Sequence, residues 1–253
     1  GELKQKLLEL RGAQPGFKGI SFETIAGYGA NGAIVHYEPT ADSCAELREG
    51  SFLLVDSGGQ YLGGTTDITR TIPLGSVPSG HRRDYTLVLQ AFIHLHSARF
   101  LEGSTGKSLD VLARQVMWEN GLDYKHGTGH GVGFVGPIHE GPQSLRMTNH
   151  VPFQPGMTIT DEPGIYEEGL VGVRIENELL VVEHMETKYG KFYAFQPITY
   201  LPIDTTPVVL ELMNEEEISW LNDYHQMVYD TLSPRMTERE RIWLKEKTKP
   251  LEK

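Results

Sequence analysis

HGTGHGVGFVGPIHEGP, residues 126–142, holds three histidines, six glycines and no lysine, arginine or aspartate. So many glycines weigh against both helix and strand by propensity. They suit a backbone that passes close to another group, or one that turns at positive φ. Set among them, His126, His130 and His139 are placed to present imidazoles to an internal site. The alternative is a loose loop with incidental histidines. Carboxylates elsewhere in the chain argue against it.

Those carboxylates are Asp56, Asp67, Glu162 and Glu176. Phe52-Leu53-Leu54-Val55 is continuously apolar, reads as a strand buried on both faces, and ends in Asp56. An unpaired carboxylate there is costly or protonated. Asp67 follows Thr65-Thr66 on a returning strand. A hairpin loosened by Gly58, Gly59, Gly63 and Gly64 can bring it opposite Asp56. Glu162 closes the run Met157-Thr158-Ile159-Thr160-Asp161, and Glu176 lies within the strand-like VRIENELLVV. Four acids at the inner ends of apolar strands need a shared countercharge. Arg70 and Arg174 can supply part of it; two divalent cations would supply all of it. Oxygen ligands with one imidazole suit Mn²⁺, Co²⁺ or Zn²⁺, and Mn²⁺ is the hard-ligand choice.

Composition sets the bounds. A chain of 253 residues, 39% of them hydrophobic, can build one large domain or two small ones. No apolar run approaches a membrane span. Net charge is −11, which would repel phosphate backbones and disfavours nucleic acid as a partner. Cys44 is the only cysteine, so an internal disulfide and a thiolate cluster are both excluded, and the cytoplasm is favoured. Gly1 stands where an initiator Met would, and Leu3, Leu7, Leu8 and Leu10 begin a helical pattern at once. That start suggests a piece of a longer protein.

Along the chain, strands are expected at 19–26, 33–37, 52–57, 66–72, 157–161 and 171–182. Helices are expected over 82–100 and from a cap at Ser108 to a stop at Asn120-Gly121. Glu162-Pro163-Gly164 should give an extended residue and a turn. Helix-rich pieces thus alternate with hairpins that each carry two acids, an internal duplication of layout. Beyond Tyr193, proline-interrupted strands at 195–198 and 200–203 precede a helix capped by Asn214, then a Thr237–Glu240 capping box. Ile218, Leu221, Tyr224, Val228 and Leu232 give the first of these helices an apolar face that would pack on the main body or on a second subunit. His81, His94, His96, His150, His184 and His225 read as ordinary. Trp220, Tyr224 and Trp243 read as packing or interface.

The segments GYGANGAIVHY, LLVDSGGQY, TTDITRT, HGTGHGVG, IHEGP, TDEPGIY and VRIENELLV stand in order along the chain. Together they resemble the catalytic domain of the aminopeptidase P family, the metal-dependent Xaa-Pro aminopeptidases. FQPITYLPID, WLNDYH and WLKEKTKPL resemble the C-terminal extension of that family's cytosolic, dimeric members. The resemblance implies an α+β pita-bread fold, with two pseudo-symmetric αβ halves around a dinuclear metal site. It implies an N-terminally truncated catalytic domain over 1–193 and an extension over 194–253 used for dimerisation and packing. Asp56, Asp67, His130, Glu162 and Glu176 would be the metal ligands. Asp67 and Glu176 would bridge both ions, with Asp56 on one and His130 and Glu162 on the other. A hydroxide shared between the ions would be the nucleophile, with Glu162 as proton acceptor. His139 would hydrogen-bond the peptide carbonyl or oxyanion. His36 and His126 would line the proline pocket and orient the leaving nitrogen, and Arg174 would brace a ligand carboxylate. The implied substrates are peptides with proline second, acted on by a cytoplasmic homodimer without nucleic acid or membrane partners.

Prolidase (Xaa-Pro dipeptidase) and methionine aminopeptidase share the five ligands. The GANGAIVHY and HGTGHG segments and the WLNDYH tail favour aminopeptidase P. Metal-free pita-bread binding modules have lost the ligand acids, which all stand here. Gly64 and Pro73 depart from common family residues, which bears on loop shape and specificity rather than on metal binding.

Overall fold

In the computed structural model, which describes residues 1–40 and 44–253, the apolar run at 52–55 becomes the centre of a sheet. The elements in order are α1 (Glu2–Gly12), β1 (Phe17–Ile20), β2 (Ile25–Tyr28), β3 (Ser51–Ser57), β4 (Gly59–Tyr61), β5 (Gly64–Thr65) and β6 (Ile68–Leu74). Next come α2 (Ser79–His96), β7 (Arg99–Leu101), α3 (Gly106–Glu119), β8 (Gly129–Val132) and β9 (His139–Leu145). The chain continues through β10 (Thr158–Asp161), β11 (Gly164–Glu167), β12 (Val171–Arg174), β13 (Asn177–Thr187) and β14 (Gly190–Pro197). It ends with α4 (Glu215–Leu232) and α5 (Glu238–Lys247).

Two antiparallel pairs position the acids, and both are built alike. β3 pairs with β2 on one side and β6 on the other. Between β3 and β6 the chain makes an excursion through β4 and β5. Asp56 pairs in register with Thr69, so Asp67 is not directly opposite it, as the simple hairpin predicts. Asp67 lies immediately before β6, two residues below that partner. In the second half β10 pairs with β13, and the excursion between them is the β11–β12 hairpin. Glu162 immediately follows β10, and Glu176 immediately precedes β13. Each half therefore sets one acid at the end of its first strand and one at the start of its second.

Several local expectations change, each for a packing reason. Residues 171–182 form two strands rather than one, because the chain crosses at Ile175-Glu176 from the β11–β12 hairpin into the β10–β13–β14–β7 sheet. Residues 33–37 are not a strand. A 3₁₀ turn over Gly29–Ala33 presses Gly32 against Gly172, where a Cβ on Gly172 would overlap the Gly32 carbonyl. The span 19–26 splits into β1 and β2, which pair in different sheets. Phe100 belongs to β7, paired with Tyr193, rather than to the preceding helix. Thr105 is the N-cap of α3, and Ser108 is its reciprocal partner in the capping box. Residues 200–203 carry no strand.

The glycine-rich stretch forms the β8–β9 hairpin despite its poor strand propensity. A Cβ on Gly129 would land on the Thr160 carbonyl, and one on Gly131 would land on the Glu140 carbonyl. Only bare backbone fits at this closeness, which is why tertiary packing overrides propensity here.

Behind the strands, α2 and α3 bury Leu89, Phe92, Leu95, Ala113 and Met117 in one apolar cluster. The tail belongs to the same cluster: Ile203, Val208, Ile218, Leu221, Tyr224 and Val228 are all part of it. The apolar face of α4 is therefore spent on the body. Each such side chain contributes roughly 1.5–3 kcal/mol relative to exposure. Asn214 and Glu217 cap α4, and Thr237 and Glu240 cap α5, each as a reciprocal box.

Candidate metal centre

A cavity of about 260 Å³ opens where the two antiparallel pairs meet. Asp56, Asp67, His130, Glu162 and Glu176 all line it, although they come from five separate stretches of chain. Asp67, His130 and Glu176 each offer one ligand atom within 4.8 Å of the others. His130 Nε2 lies 3.4 Å from Asp67 Oδ2 and 3.6 Å from Glu162 Oε1. His130 Nδ1 is 2.9 Å from the Gly131 carbonyl oxygen, which can only accept. The proton therefore sits on Nδ1, and the Nε2 lone pair faces the carboxylates.

The neighbouring groups fix each carboxylate. Arg174 donates through one terminal nitrogen to Asp56 Oδ2 at 2.8 Å, and through Nε to Thr69 Oγ1 at 3.2 Å. Thr69 Oγ1 in turn donates to Glu176 Oε2 at 2.7 Å. Thr160 Oγ1 lies 3.4 Å from Glu162 Oε1. Asp56 Oδ1 is buried and has no hydrogen-bond partner among the described residues. A carboxylate oxygen left this way inside a protein calls for a cation.

Charge is out of balance. Burial first, then the charges of Asp56 and Glu162, push the Asp67 carboxyl well above the usual carboxylate range. Burial and then Asp67 do the same to Glu176, and burial and then Glu176 do so to Glu162. Burial works against the charge on Arg174. Tyr166, Asp56, Glu162 and Glu176 nevertheless hold it firmly protonated. One guanidinium thus faces four carboxylates. The donor set, four carboxylates and one imidazole, fits two divalent cations of hard or borderline character.

The other histidines divide by position. His139 and His36 line the cavity, both exposed at its mouth. The His139 ring sits 4.0 Å from that of His130. Partial burial, then the His130 and His36 imidazoles, lower its pKa to about 4, so it is neutral near pH 7. His126, expected to line the same pocket, does not line it. It stands behind the wall, its Nε2 2.8 Å from Tyr166 Oη, while Tyr166 accepts from Arg174 at 2.9 Å. Burial lowers the His126 pKa to about 4. Its Nδ1 donates to the Gly127 carbonyl at 2.7 Å, so Nε2 accepts the tyrosine proton.

Tyr166, Thr69 and Thr160 touch the site's charged groups but do not stand out as single residues in the sequence. Their only signal was membership of TDEPGIY and TTDITRT. Phe22, Ile25, Val35 and Ile138 supply an apolar wall. Of the histidines read as ordinary, His94 pairs with Glu217 at 2.8 Å and His225 accepts from the Ile203 amide at 3.2 Å.

The raised carboxylates generate a pH-linked expectation. Their affinity for protons is raised in the metal-free site, and ligation requires the ionised form. Adding Mn²⁺ to the metal-free chain near pH 7 should therefore release protons, and affinity should rise with pH. Calorimetry in two buffers of different ionisation enthalpy measures the count. Binding with no proton release would show that the acids are already ionised.

Comparison with known proteins agrees with this geometry. The model of metallopeptidase family M24 matches residues 1–183, and that of the C-terminal region of peptidase M24 matches residues 191–251. Aminopeptidase P1 of Lotus japonicus is 45% identical over 98% of this chain and 39% of its own length. Aminopeptidase P2 of Arabidopsis thaliana is 44% identical over 100% of this chain and 36% of its own length. The chain thus spans about two-fifths of the length of the curated relatives it matches. An X-prolyl aminopeptidase of Caenorhabditis elegans, described as a cytosolic enzyme with a di-nuclear active site, superposes with a TM-score of 0.93. It is 38% identical and covers 99% of this chain and 42% of its own. Prolidase from Pyrococcus furiosus superposes with a TM-score of 0.70 at 32% identity, covering 79% of this chain and 55% of its own. The architecture is that of the pita-bread enzymes, α+β with paired halves about the cavity, and the chain belongs to metallopeptidase family M24.

Proposed function

We propose that this chain is the catalytic part of an Xaa-Pro aminopeptidase, a hydrolase that releases the residue ahead of an N-terminal Xaa-Pro bond. One observation carries the reading. Asp56, Asp67, His130, Glu162 and Glu176 converge on a single cavity with His139 and His36 at its mouth. The catalytic body would occupy 1–193 and the extension 194–253.

In this reading Asp56, Asp67, His130, Glu162 and Glu176 would together hold two divalent cations. Two divalent cations, Mn²⁺ by the hardness of the donors with Zn²⁺ or Co²⁺ as alternatives, supply Lewis acidity and a water acidic enough to attack at neutral pH. Glu162 takes up and returns the proton, held by Thr160. His139, neutral near pH 7, donates to the oxygen that gains charge as the carbonyl becomes tetrahedral. His36, also at the mouth, would orient the leaving nitrogen. His126 acts from behind, steadying Tyr166 and through it Arg174. Phe22, Ile25, Val35 and Ile138 give the proline ring an apolar seat.

Prolidase is the second reading, favoured by the superposition at TM-score 0.70. That match covers 79% of the chain, whereas the X-prolyl aminopeptidase covers 99%, so the aminopeptidase reading accounts for more of the chain. We also place the protein in the cytoplasm as a homodimer, without nucleic-acid or membrane partners. The lone exposed cysteine is compatible with that compartment, and no helix among the described residues is long and apolar enough to cross a membrane. Cell fractionation checks the compartment. Because α4 is already buried against the body, the dimer contact falls to α5, whose Ile242 and Trp243 are exposed.

The central test compares an Xaa-Pro dipeptide with an Xaa-Pro-Yaa tripeptide, with Mn²⁺ and with chelator. Release of the first residue should favour the tripeptide and stop with chelator. Preference for the dipeptide would make the chain a prolidase, and a chain that neither binds metal nor cleaves would be a binding module. His139→Ala should lower kcat by roughly a hundred- to thousandfold with metal content and KM nearly unchanged. His130→Ala should instead lose metal, and a His139 variant that does likewise would reverse the division of roles. For the dimer, Trp243→Glu should shift the species toward monomer in light scattering; a wild-type chain already monomeric at high concentration removes the idea.

A further inference from the structure

Thr69 and Arg70 are neighbours on β6 and face opposite ways. Thr69 serves the cavity, donating to the Glu176 carboxylate at 2.7 Å. Arg70 points away from it into the seam between the body and the tail, where it is only 6% exposed. Among the described residues no carboxylate pairs with it. Its donors go instead to neutral oxygens: the Glu176 carbonyl at 2.6 Å, the Thr69 carbonyl at 2.9 Å and Asn177 Oδ1 at 2.8 Å. From the tail come the Leu201 carbonyl at 2.7 Å, the Pro202 carbonyl at 3.1 Å and Tyr224 Oη at 3.1 Å. Tyr224 itself donates to the Leu201 carbonyl at 2.9 Å.

A buried cation met only by neutral dipoles is an expensive way to hold two layers together, and apolar residues would do that as well. What the guanidinium adds is direction. Glu176 and Asn177 are where the chain crosses from β12 into β13, and the crossing residue carries the candidate ligand. Its N–H is fixed by the Thr69 carbonyl at 3.1 Å and its carbonyl by Arg70, so its backbone is held from both sides. The planar fork of Arg70 meets all of these oxygens at once, which an ammonium could not.

We infer that the C-terminal extension is a working part of the metal centre: Tyr224 and the Leu201 and Pro202 carbonyls set Arg70, and Arg70 sets Glu176. Arg70 and Tyr224 are positioning residues, acting through Glu176 rather than on substrate. The inference rests on the proposal that Glu176 is a metal ligand and adds that its placement depends on the tail.

The test is Mn²⁺ binding by calorimetry on the full chain, with thermal unfolding of the metal-free form alongside. Arg70→Met should weaken Mn²⁺ binding by about tenfold or more, the size of effect seen when groups that orient a ligand are removed. Tyr224→Phe, which removes one hydroxyl and no packing, should weaken it in the same direction by less. Val228→Ala is the control. It loosens the α4 core and should lower Tm while binding Mn²⁺ as wild type does. Where Arg70→Met does not fold, Tyr224→Phe decides. Wild-type affinity in a folded Arg70 or Tyr224 variant overturns the inference, as does an equal loss in Val228→Ala, which would reduce the hub to ordinary stability. A wild-type chain that binds no metal removes this inference and the proposed function together. Two equivalents bound by wild type and variants alike remove only this one.

Discussion

Asp56, Asp67, Glu162 and Glu176 crowd a single guanidinium in one small cavity, with Glu23 and Glu38 exposed on its lining, and this imbalance governs the site and the elements around it. Opposite charges about 4 Å apart attract strongly once water is excluded, and like charges repel by the same measure. Arg174, fully buried, neutralises Asp56 directly at 2.8 Å and reaches Glu176 only through Thr69. Asp67, Glu162 and Glu176 are left to repel one another, and their raised proton affinities are the consequence. Such an arrangement is unfavourable as a fold-stabilising device. It makes physical sense as a cation site, where the ion supplies the charge that the side chains lack.

The two halves solve the same placement problem twice. An antiparallel pair is interrupted by an excursion, and the acids stand where the chain leaves and re-enters the pair. The β8–β9 hairpin then crosses beside β10 so closely that glycine is required, and this brings His130 over the acids. The His130 amide donates to Thr160 Oγ1 at 3.0 Å, and Thr160 also touches Glu162, so one hydroxyl links the histidine's strand to the acid.

The tail is bound into this scheme rather than appended to it. Its apolar residues complete the core behind α2, and its carbonyls complete the coordination of Arg70 on the far face of β6. The opposed faces of a single strand thus serve the cavity through Thr69 and the tail through Arg70.

The four acids that line the cavity were legible in the chain because ionisable groups at the ends of apolar runs have few reasons to be there, whereas His130 and His139 stood out only by their setting among glycines and His36 only by the family resemblance. The α4 and α5 caps were legible for a local reason, since a capping box is written within four residues. Residues 33–37 and 171–182 were misread because their conformations are set by neighbours distant in sequence, Gly172 against Gly32 and a crossing between sheets at Glu176; the glycine-rich stretch was legible as backbone in close approach, met at Gly129 by the Thr160 carbonyl, but not as a paired hairpin. The withdrawal of His126 behind Tyr166 was likewise invisible, because a histidine beside a glycine looks alike whether it faces a cavity or backs its wall. By itself the sequence determined which groups carry charge and which are of a kind that ligates metal, since those are properties of side chains. Which of them share a cavity, and that the tail meets Arg70 behind it, only the tertiary structure decided, because such contacts join residues that are distant along the chain, His130 to Asp67 and Glu162 and Arg70 to Tyr224 among them.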